Sequence, residues 1–281
     1  MDGLFVAGTD TGAGKTFVAA ALCRALRRAG IDVAGVKPFE TGCDPNPADA
    51  EALEAEAHSG LPIDLRCPWR FRTPVAPAAA AARERPAIAH GTMFRAALAV
   101  ARRAARERFA IVEAAGGLLV PIDGARTNLD LAAALGLPVL LVGKNALGTL
   151  NHCALSVEAL RRRRVPILGL VLSRGLLPAD ASQRTNAEWA RRMCCVPVIE
   201  LPRTTTGRAA ATLSRAFLAD LPAIVRRGKR LPEEGEEARG RSRPPALRAS
   251  AEPRSPRRER CPGGQPDRQS AGGNGRAGVS R

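Results

Sequence analysis

The segment GTDTGAGKT at residues 8–16 combines residue types that suit the binding of phosphate. It follows an apolar run and opens an apolar helical pattern, and a glycine-rich turn in that setting directs backbone N–H groups and the positive end of the helix at an anion. Lys15 can neutralise the outer phosphates of a nucleotide, and the Thr16 hydroxyl can bind magnesium. The general pattern G-x-x-x-x-G-K-[ST] requires glycine at position 9, where this chain has Thr9, so the loop is a variant.

Charged residues also follow or end other apolar runs. Lys37 comes directly after VAGV, and Glu113 lies inside AIVEAAGG, where a buried carboxylate is costly unless it meets a cation or hydrogen-bond donors. Magnesium prefers oxygen ligands, so we expect Thr16, Asp49 and Glu113 to hold it beside the phosphates. Asp49, taken alone, is equally well explained as the N-cap of an alanine-rich helix.

Five apolar runs predict the strands that position these residues. The runs are continuous rather than alternating, as in strands buried on both faces, and amphipathic helical patterns lie at residues 16–28, 93–108 and 151–164. This succession predicts an α/β protein of the P-loop NTPase type, with a mostly parallel central sheet flanked by helices on both faces. Ligands bind at the carboxyl ends of the strands in such sheets. The runs are LFVAG (4–8), DVAGVKP (32–38), FAIVEAA (109–115), PVLLVG (138–143) and PILGLVL (166–172).

The variant loop, GTDTxxGKT, resembles the phosphate loop of the dethiobiotin synthetases. Chromosome-partitioning and septum-positioning ATPases carry a second lysine near the start of this loop, and that position is Asp10 here. Further motifs resemble the same family in the same order along the chain. They are VKPFETG (36–42), DAEAL (49–53), CPWRFRTPVAPAAAA (67–81), VEAAGG (112–117), and GLPVLLVG (136–143) followed by GTLNH (148–152).

The resemblance implies a ligase reaction that forms carbon–nitrogen bonds in biotin biosynthesis. Carbon dioxide carboxylates one amine of 7,8-diaminopelargonic acid, ATP phosphorylates the carbamate with Mg²⁺ bound, and the second amine closes a cyclic urea with loss of phosphate. Lys15 and Lys37 are then catalytic, because two cations can hold carbamate and γ-phosphate oxygens together. Thr11 and Thr41 would contact the substrate.

The resemblance also implies a homodimer and two further binding segments. The turn with Gly148, Thr149 and Asn151 opens a helix and would receive the substrate's carboxylate across a two-fold interface. The alternative interpretation, in which Thr149 or Asn151 caps that helix, is compatible with this role. Pro202, Arg203 and Thr204 resemble the loop beside the nucleotide base. The nucleotide-binding set is Gly12, Ala13, Gly14, Lys15, Thr16, Phe17, Asp49, Glu113, Ala114, Ala115, Gly116, Ser173, Arg174, Pro202, Arg203 and Thr204.

The sequence departs from the family pattern at two places. Ala114 replaces a glycine of the family pattern. Alanine is tolerated there if the position requires only a small side chain, and it is strained if the position requires positive φ; we favour the first interpretation. Ser173-Arg174 replaces an Asn-Asp pair that often reads adenine. Two alternative functions remain. One is a synthetase domain related to the cobyric and cobyrinic acid amidotransferases, and the other is a regulatory or partitioning P-loop ATPase.

The net charge of +16 over 281 residues is unevenly distributed. Residues 226–281 contain 15 Arg or Lys against 7 Asp or Glu and are rich in Pro, Gly and Ser, so we expect a disordered tail after an enzymatic domain at residues 1–225. No aromatic residue is interleaved with the tail's basic residues, which favours a solvated tail over a nucleic-acid-binding arm. No run is long and apolar enough to cross a membrane, so a cytoplasmic protein is expected, and the seven scattered cysteines indicate neither disulfides nor a zinc site.

Overall fold

The computed structural model describes residues 1–175 and 178–218 and contains a parallel six-stranded sheet. The expected tail at 226–281 lies outside the described residues. The strands are β1 (Gly3–Gly8), β2 (Val33–Val36), β5 (Phe109–Gly117), β8 (Val139–Lys144), β9 (Ile167–Ser173) and β10 (Val198–Leu201). Their order across the sheet is β10-β9-β8-β1-β5-β2, and every neighbouring pair is parallel.

Helices cover both faces of this sheet, because alternate residues of the central strand point to opposite sides. Leu4 and Val6 of β1 belong to one buried cluster, and Phe5 and Ala7 belong to the other. The predicted fold class is therefore confirmed. The helices are α1 (Lys15–Arg28), α2 (Ala48–Ala57), α3 (Ile63–Arg66), α4 (Pro77–Glu84), α5 (Thr92–Glu107), α6 (Asn128–Leu135), α7 (Thr149–Arg162), α8 (Asn186–Cys194) and α9 (Thr206–Leu213).

The helices divide between the two faces according to the clusters they contribute to. Buried residues of α1, α2 and α9 pack in the cluster with Leu4 and Val6, whereas those of α5, α6, α7 and α8 pack in the cluster with Phe5 and Ala7. Much of the buried surface of α1 and α5 is alanine, which lets these helices approach the sheet closely. None of the helices among the described residues could cross a membrane.

Two separate two-stranded sheets lie outside the main sheet, in segments that follow the carboxyl ends of its strands. β3 pairs in parallel with β4, so that Phe39 lies opposite Trp69 and Thr41 lies opposite Phe71. β6 pairs with β7 in antiparallel fashion. The remaining elements are β3 (Phe39–Thr41), β4 (Trp69–Phe71), β6 (Pro121–Asp123), β7 (Arg126–Thr127), a 3₁₀ turn (Ala181–Arg184) and a π-helical turn (Ser214–Leu218).

Candidate active site

The phosphate loop connects β1 to α1, and its backbone depends on glycine at three positions. Gly12 and Gly14 have φ angles of 68° and 94°, which favour glycine. A Cβ on Gly8 would lie 2.8 Å from the carbonyl oxygen of Asp10 and 2.8 Å from Nζ of Lys15. The loop therefore folds back over Gly8, which gives a physical reason for the early glycine of this variant.

The side chain of Lys15 is curled back over its own loop. Its Nζ donates to the carbonyl oxygen of Asp10 at 3.0 Å. Burial lowers the pKa of Lys15 to about 8, and the neighbouring positive charge of Lys37 acts in the same direction. The two lysines therefore repel each other, and an anion placed between them would stabilise the charged form of both.

Lys37 forms the centre of a buried cluster with two carboxylates. It follows β2, and its Nζ lies 2.6 Å from Oε1 of Glu113 in the middle of β5 and 2.9 Å from Oδ2 of Asp49 in the first turn of α2. The Thr16 hydroxyl donates to the same Oε1 of Glu113 at 2.9 Å. Lys37 and Glu113 are 3% and 0% exposed, whereas the Asp49 side chain is 39% exposed, so the network is buried at Lys37 and Glu113 and reaches solvent at Asp49.

The charges in this network perturb one another. Burial acts against the charge of Lys37, but Glu113 and Asp49 outweigh it and raise the pKa of Lys37. Burial also acts against the charge of Asp49, and Lys37 outweighs it, so the pKa of Asp49 is lowered. Lys37 is therefore a permanent cation between two acceptors at neutral pH. The second oxygen of the Glu113 carboxylate, Oε2, is buried without a hydrogen-bond partner among the described residues.

A cavity of about 490 Å³ opens beside this network. Its walls bring together residues from the P-loop, β3, α2 and β5 that are distant in sequence. The sequence-predicted residues that line it are Thr11, Gly12, Gly14, Lys15, Thr16, Lys37, Thr41, Asp49, Glu113, Ala115 and Gly116. Three further wall residues were not predicted individually: Phe39, Glu40 and Val120. The rest of the wall comes from the segment predicted only as a substrate-side loop, through Pro74, Val75, Ala76 and Pro77.

The Gly148 turn lies elsewhere, between β8 and α7. Gly148, Thr149 and Asn151 do not line the 490 Å³ cavity. Gly148 is itself the N-cap, with φ of 90° and no side-chain capping bond, and the Thr149 hydroxyl pairs instead with Sγ of Cys153 at 3.6 Å. The alternative in which Thr149 or Asn151 caps the helix is therefore wrong.

The base-side residues meet at the ends of β9 and β10. Ser173 lies opposite Leu201, and the backbone N–H of Arg174 donates to the carbonyl of Leu201, so Arg174 and the loop from Pro202 to Thr204 share one edge. A Cβ on Gly14 would lie 2.9 Å from Oγ of Ser173. The predicted base side therefore adjoins the P-loop, although these residues do not line the cavity.

Three other predicted nucleotide-binding residues have mainly packing roles in this structure. Ala13 is buried, and Phe17 packs partly buried against the cluster of α1. Ala114 lies inside β5 and is absent from the residues with positive φ, so smallness rather than a special conformation is what the position requires. The carbonyl of Ala114 accepts a 3.3 Å hydrogen bond from Lys37.

Asn128 is a buried residue that no sequence motif indicated. Its Nδ2 donates to the carbonyls of Ala115 and Gly117 at 2.7 and 2.8 Å. These bonds hold the end of β5 on either side of Gly116, whose φ is 75°. A single asparagine outside any recognised motif could not be distinguished beforehand from an ordinary polar residue at a helix start.

The P-loop at the end of β1, the parallel sheet and the lysine–carboxylate network define a P-loop NTPase. Residues 2–205 match the family described as an AAA domain. The chain is 51% identical over 205 residues to the ATP-dependent dethiobiotin synthetase BioD of Anaeromyxobacter dehalogenans strain 2CP-C, across 72% of this chain and 90% of that relative. It is 45% identical over 193 residues to the protein of the same name from Anaeromyxobacter sp. strain Fw109-5, across 68% of this chain and 85% of that relative.

The chain belongs to the family of ATP-dependent dethiobiotin synthetases, which are ligases of biotin biosynthesis. The resemblance inferred from the motifs is thereby confirmed. Among solved structures, the signal recognition particle 54 kDa protein of Aeropyrum pernix K1 in complex with GDP is 17% identical, with a TM-score of 0.43 over 80% of this chain and 49% of that chain.

Proposed function

We propose that this cavity closes a cyclic urea on 7,8-diaminopelargonic acid through a phosphorylated carbamate. One amine nitrogen attacks carbon dioxide and loses a proton, giving the carbamate. A carbamate oxygen then takes the γ-phosphoryl group of ATP, and ADP leaves. The second amine attacks the carbamate carbon, inorganic phosphate leaves, and the second carbon–nitrogen bond completes the ring.

The observation that carries this proposal is the presence of two lysines from different elements in one cavity. Lys15 comes from the P-loop and Lys37 from the end of β2, and both line the same 490 Å³ space. Transfer of a phosphoryl group to a carbamate brings two anions together, and positioned cations lower that barrier. The second lysine of the partitioning ATPases would lie near the start of the P-loop, at Asp10 here, whereas Lys37 comes from a different element.

The oxygen atoms around Lys37 fit a magnesium ion. The Thr16 hydroxyl and the carboxylates of Asp49 and Glu113 are hard donors, and Oε2 of Glu113 is buried without a partner among the described residues. These three residues would hold Mg²⁺, which would neutralise charge on the transferring phosphate when bound. The chain's own contribution is to fix the three oxygens from three separate elements.

Exposed leucines support a homodimer that completes the substrate site. Leu119 and Leu155 are 66% and 58% exposed and border a second cavity of about 410 Å³, together with His152 and Ser156 of α7. That cavity also reaches Thr9 and Asp10 of the P-loop. A second copy seated on this face would bring its Gly148–Asn151 turn to the substrate's carboxylate. ATP as a co-substrate favours a cytoplasmic location.

The test is release of inorganic phosphate from ATP with the substrates added separately and together. We expect release only when 7,8-diaminopelargonic acid and bicarbonate are both present, in equal amounts with the cyclic urea. Omission of either should reduce the rate to background. Hydrolysis that proceeds without the diamine and responds to DNA or to lipid vesicles would instead support the partitioning ATPase.

A further inference from the structure

Glu40 occupies the middle of β3 and reaches across to the start of α2. Its Oε1 accepts a hydrogen bond from the backbone N–H of Asp49 at 2.8 Å, and its Oε2 accepts one from Ala50 at 3.0 Å. The side chain is only 6% exposed. Burial raises the pKa of Glu40, while the two N–H groups act in the opposite direction. Because its two oxygens accept bonds from two adjacent backbone N–H groups, the Glu40 carboxylate is a bidentate anchor for the start of α2.

The start of α2 depends on this anchor. The N-cap residue is Pro47, which has no side-chain acceptor, and no side-chain capping bond is made by it. The first N–H groups of a helix have no partners within the helix and need an external acceptor. Glu40 supplies that acceptor from another element and places a negative charge at the positive end of the helix dipole.

The peptide group that Glu40 holds belongs to Asp49 itself. The Asp49 carboxylate contacts Lys37 at 2.9 Å, and Asp49 is one of the three residues assigned above to magnesium. Glu40 also precedes Thr41 in β3, and Thr41 lines the substrate side of the cavity. One buried carboxylate therefore connects the strand that faces the substrate with the residue that faces the metal.

We propose that Glu40 is a positioning residue that fixes Asp49 as a magnesium ligand and couples the metal site to the substrate-side strand. The inference rests on the proposed metal site. Although Glu40 lines the cavity, both of its carboxylate oxygens accept bonds from the N–H groups of Asp49 and Ala50, so it acts through the backbone of Asp49. If the anchor is lost, the first turn of α2 can shift, and an octahedral ion with short bonds tolerates little displacement of its ligand.

The test uses Mn²⁺ as a probe for the magnesium site and the variant Glu40→Gln. Glutamine has the same shape but offers one acceptor, so one of the two N–H groups loses its partner. Binding of Mn²⁺ to the enzyme–ADP complex is measured by electron paramagnetic resonance, and ADP binding in chelator is measured by calorimetry. We expect Mn²⁺ affinity to fall about tenfold and metal-free ADP affinity to change less than about twofold.

Asp123→Asn is the matched control. Asp123 is also a buried carboxylate that accepts two backbone N–H bonds, from Gly91 and Phe94 at the start of α5, and it does not line the 490 Å³ cavity. We expect this variant to melt earlier with unchanged Mn²⁺ affinity. A purely structural role for Glu40 would make the two variants behave alike, and that result would overturn the inference.

The remaining outcomes separate this inference from the proposed function. If the wild-type ADP complex binds no Mn²⁺, the proposed metal site is wrong. If it binds Mn²⁺ and a folded Glu40→Gln binds it within about twofold of wild type, the positioning role alone is wrong. If Glu40→Gln does not fold, Glu40→Asp takes its place: it keeps the charge, shortens the reach by one methylene, and should weaken Mn²⁺ binding in the same way.

Discussion

The buried ammonium group of Lys37 has two carboxylate partners in addition to its proposed role in catalysis. It is the hydrogen-bonding partner of a Glu113 carboxylate that is 0% exposed, and it also contacts Asp49. Removing one partner of such a pair leaves an uncompensated buried charge, which typically costs about 3–5 kcal/mol. A loss of activity on substitution must therefore be separated from a loss of stability.

Lys37→Ala should reduce turnover by at least about a hundredfold and should also lower the melting temperature. Retention of more than about a tenth of wild-type turnover would contradict the catalytic role. The control is the double variant Lys37→Ala/Glu113→Gln, which removes both charges of the pair. Its melting temperature in chelator should exceed that of the single variant while its activity stays low.

Lys15 should take up a proton when nucleotide binds in mildly alkaline solution. Its pKa in the unliganded protein is about 8, so at pH 8.5 the amine is mostly neutral. Adjacent phosphate favours the charged form and raises the pKa again. Calorimetry of ATP binding at pH 8.5 in buffers of different ionisation enthalpy should show uptake of more than about half a proton. Lys15→Arg, whose side chain stays protonated, should show none, and equal uptake in both proteins would refute the assignment.

At the scale of elements, the continuous apolar runs predicted five of the six strands of the main sheet to within about two residues at either end. β10 was not predicted, because Val198–Leu201 is short and carries Glu200 at the edge of the sheet, where burial is incomplete. The pairing of β3 with β4 was also unpredictable, because it joins residues about thirty apart through backbone contacts that leave no pattern.

The candidate site was predictable wherever a residue belongs to a contiguous motif. Lys15, Lys37 and Glu113 each follow or end an apolar run, and parallel strands bring such positions to one edge. For Asp49, the sequence left two interpretations open, a magnesium ligand and the N-cap of a helix. The N-cap is in fact Pro47, and Asp49 lies in the first turn with its N–H held by Glu40. Glu40 and Asn128 were missed because their partners are backbone groups of other elements.

The end of β9 should give weak discrimination between nucleoside triphosphates. Ser173 offers one hydroxyl and is 4% exposed, and Arg174 offers only donors, with its Nε buried without a partner among the described residues. A site rejects the wrong base when that base leaves buried hydrogen-bonding groups of the protein without partners. Neither Ser173 nor Arg174 has a side-chain amide that could pair with adenine. We expect kcat/KM for ATP, CTP and GTP to agree within about a hundredfold at saturating diamine and bicarbonate. A larger preference for ATP would show that other groups read the base.

At the scale of the whole molecule, the exposed face of α7 should control assembly. Leu155→Glu places a charge on the apolar surface bordering the 410 Å³ cavity and should convert a dimer into monomers in sedimentation experiments. Met193→Glu, at a half-exposed methionine of α8, is the control and should leave assembly unchanged. A wild-type monomer, or a Leu155→Glu protein that remains dimeric, would contradict the proposed interface.

The lysine–carboxylate network also bears on the stability of the fold in the absence of ligands. Metal-dependent small domains unfold in chelators because the free energy of metal binding supplies much of their folding free energy. Here the Lys37 ammonium lies between Asp49 and Glu113 and offsets part of the repulsion between the two carboxylates without any ion from solution. We therefore expect the melting temperature of the ligand-free protein to be the same in magnesium and in chelator.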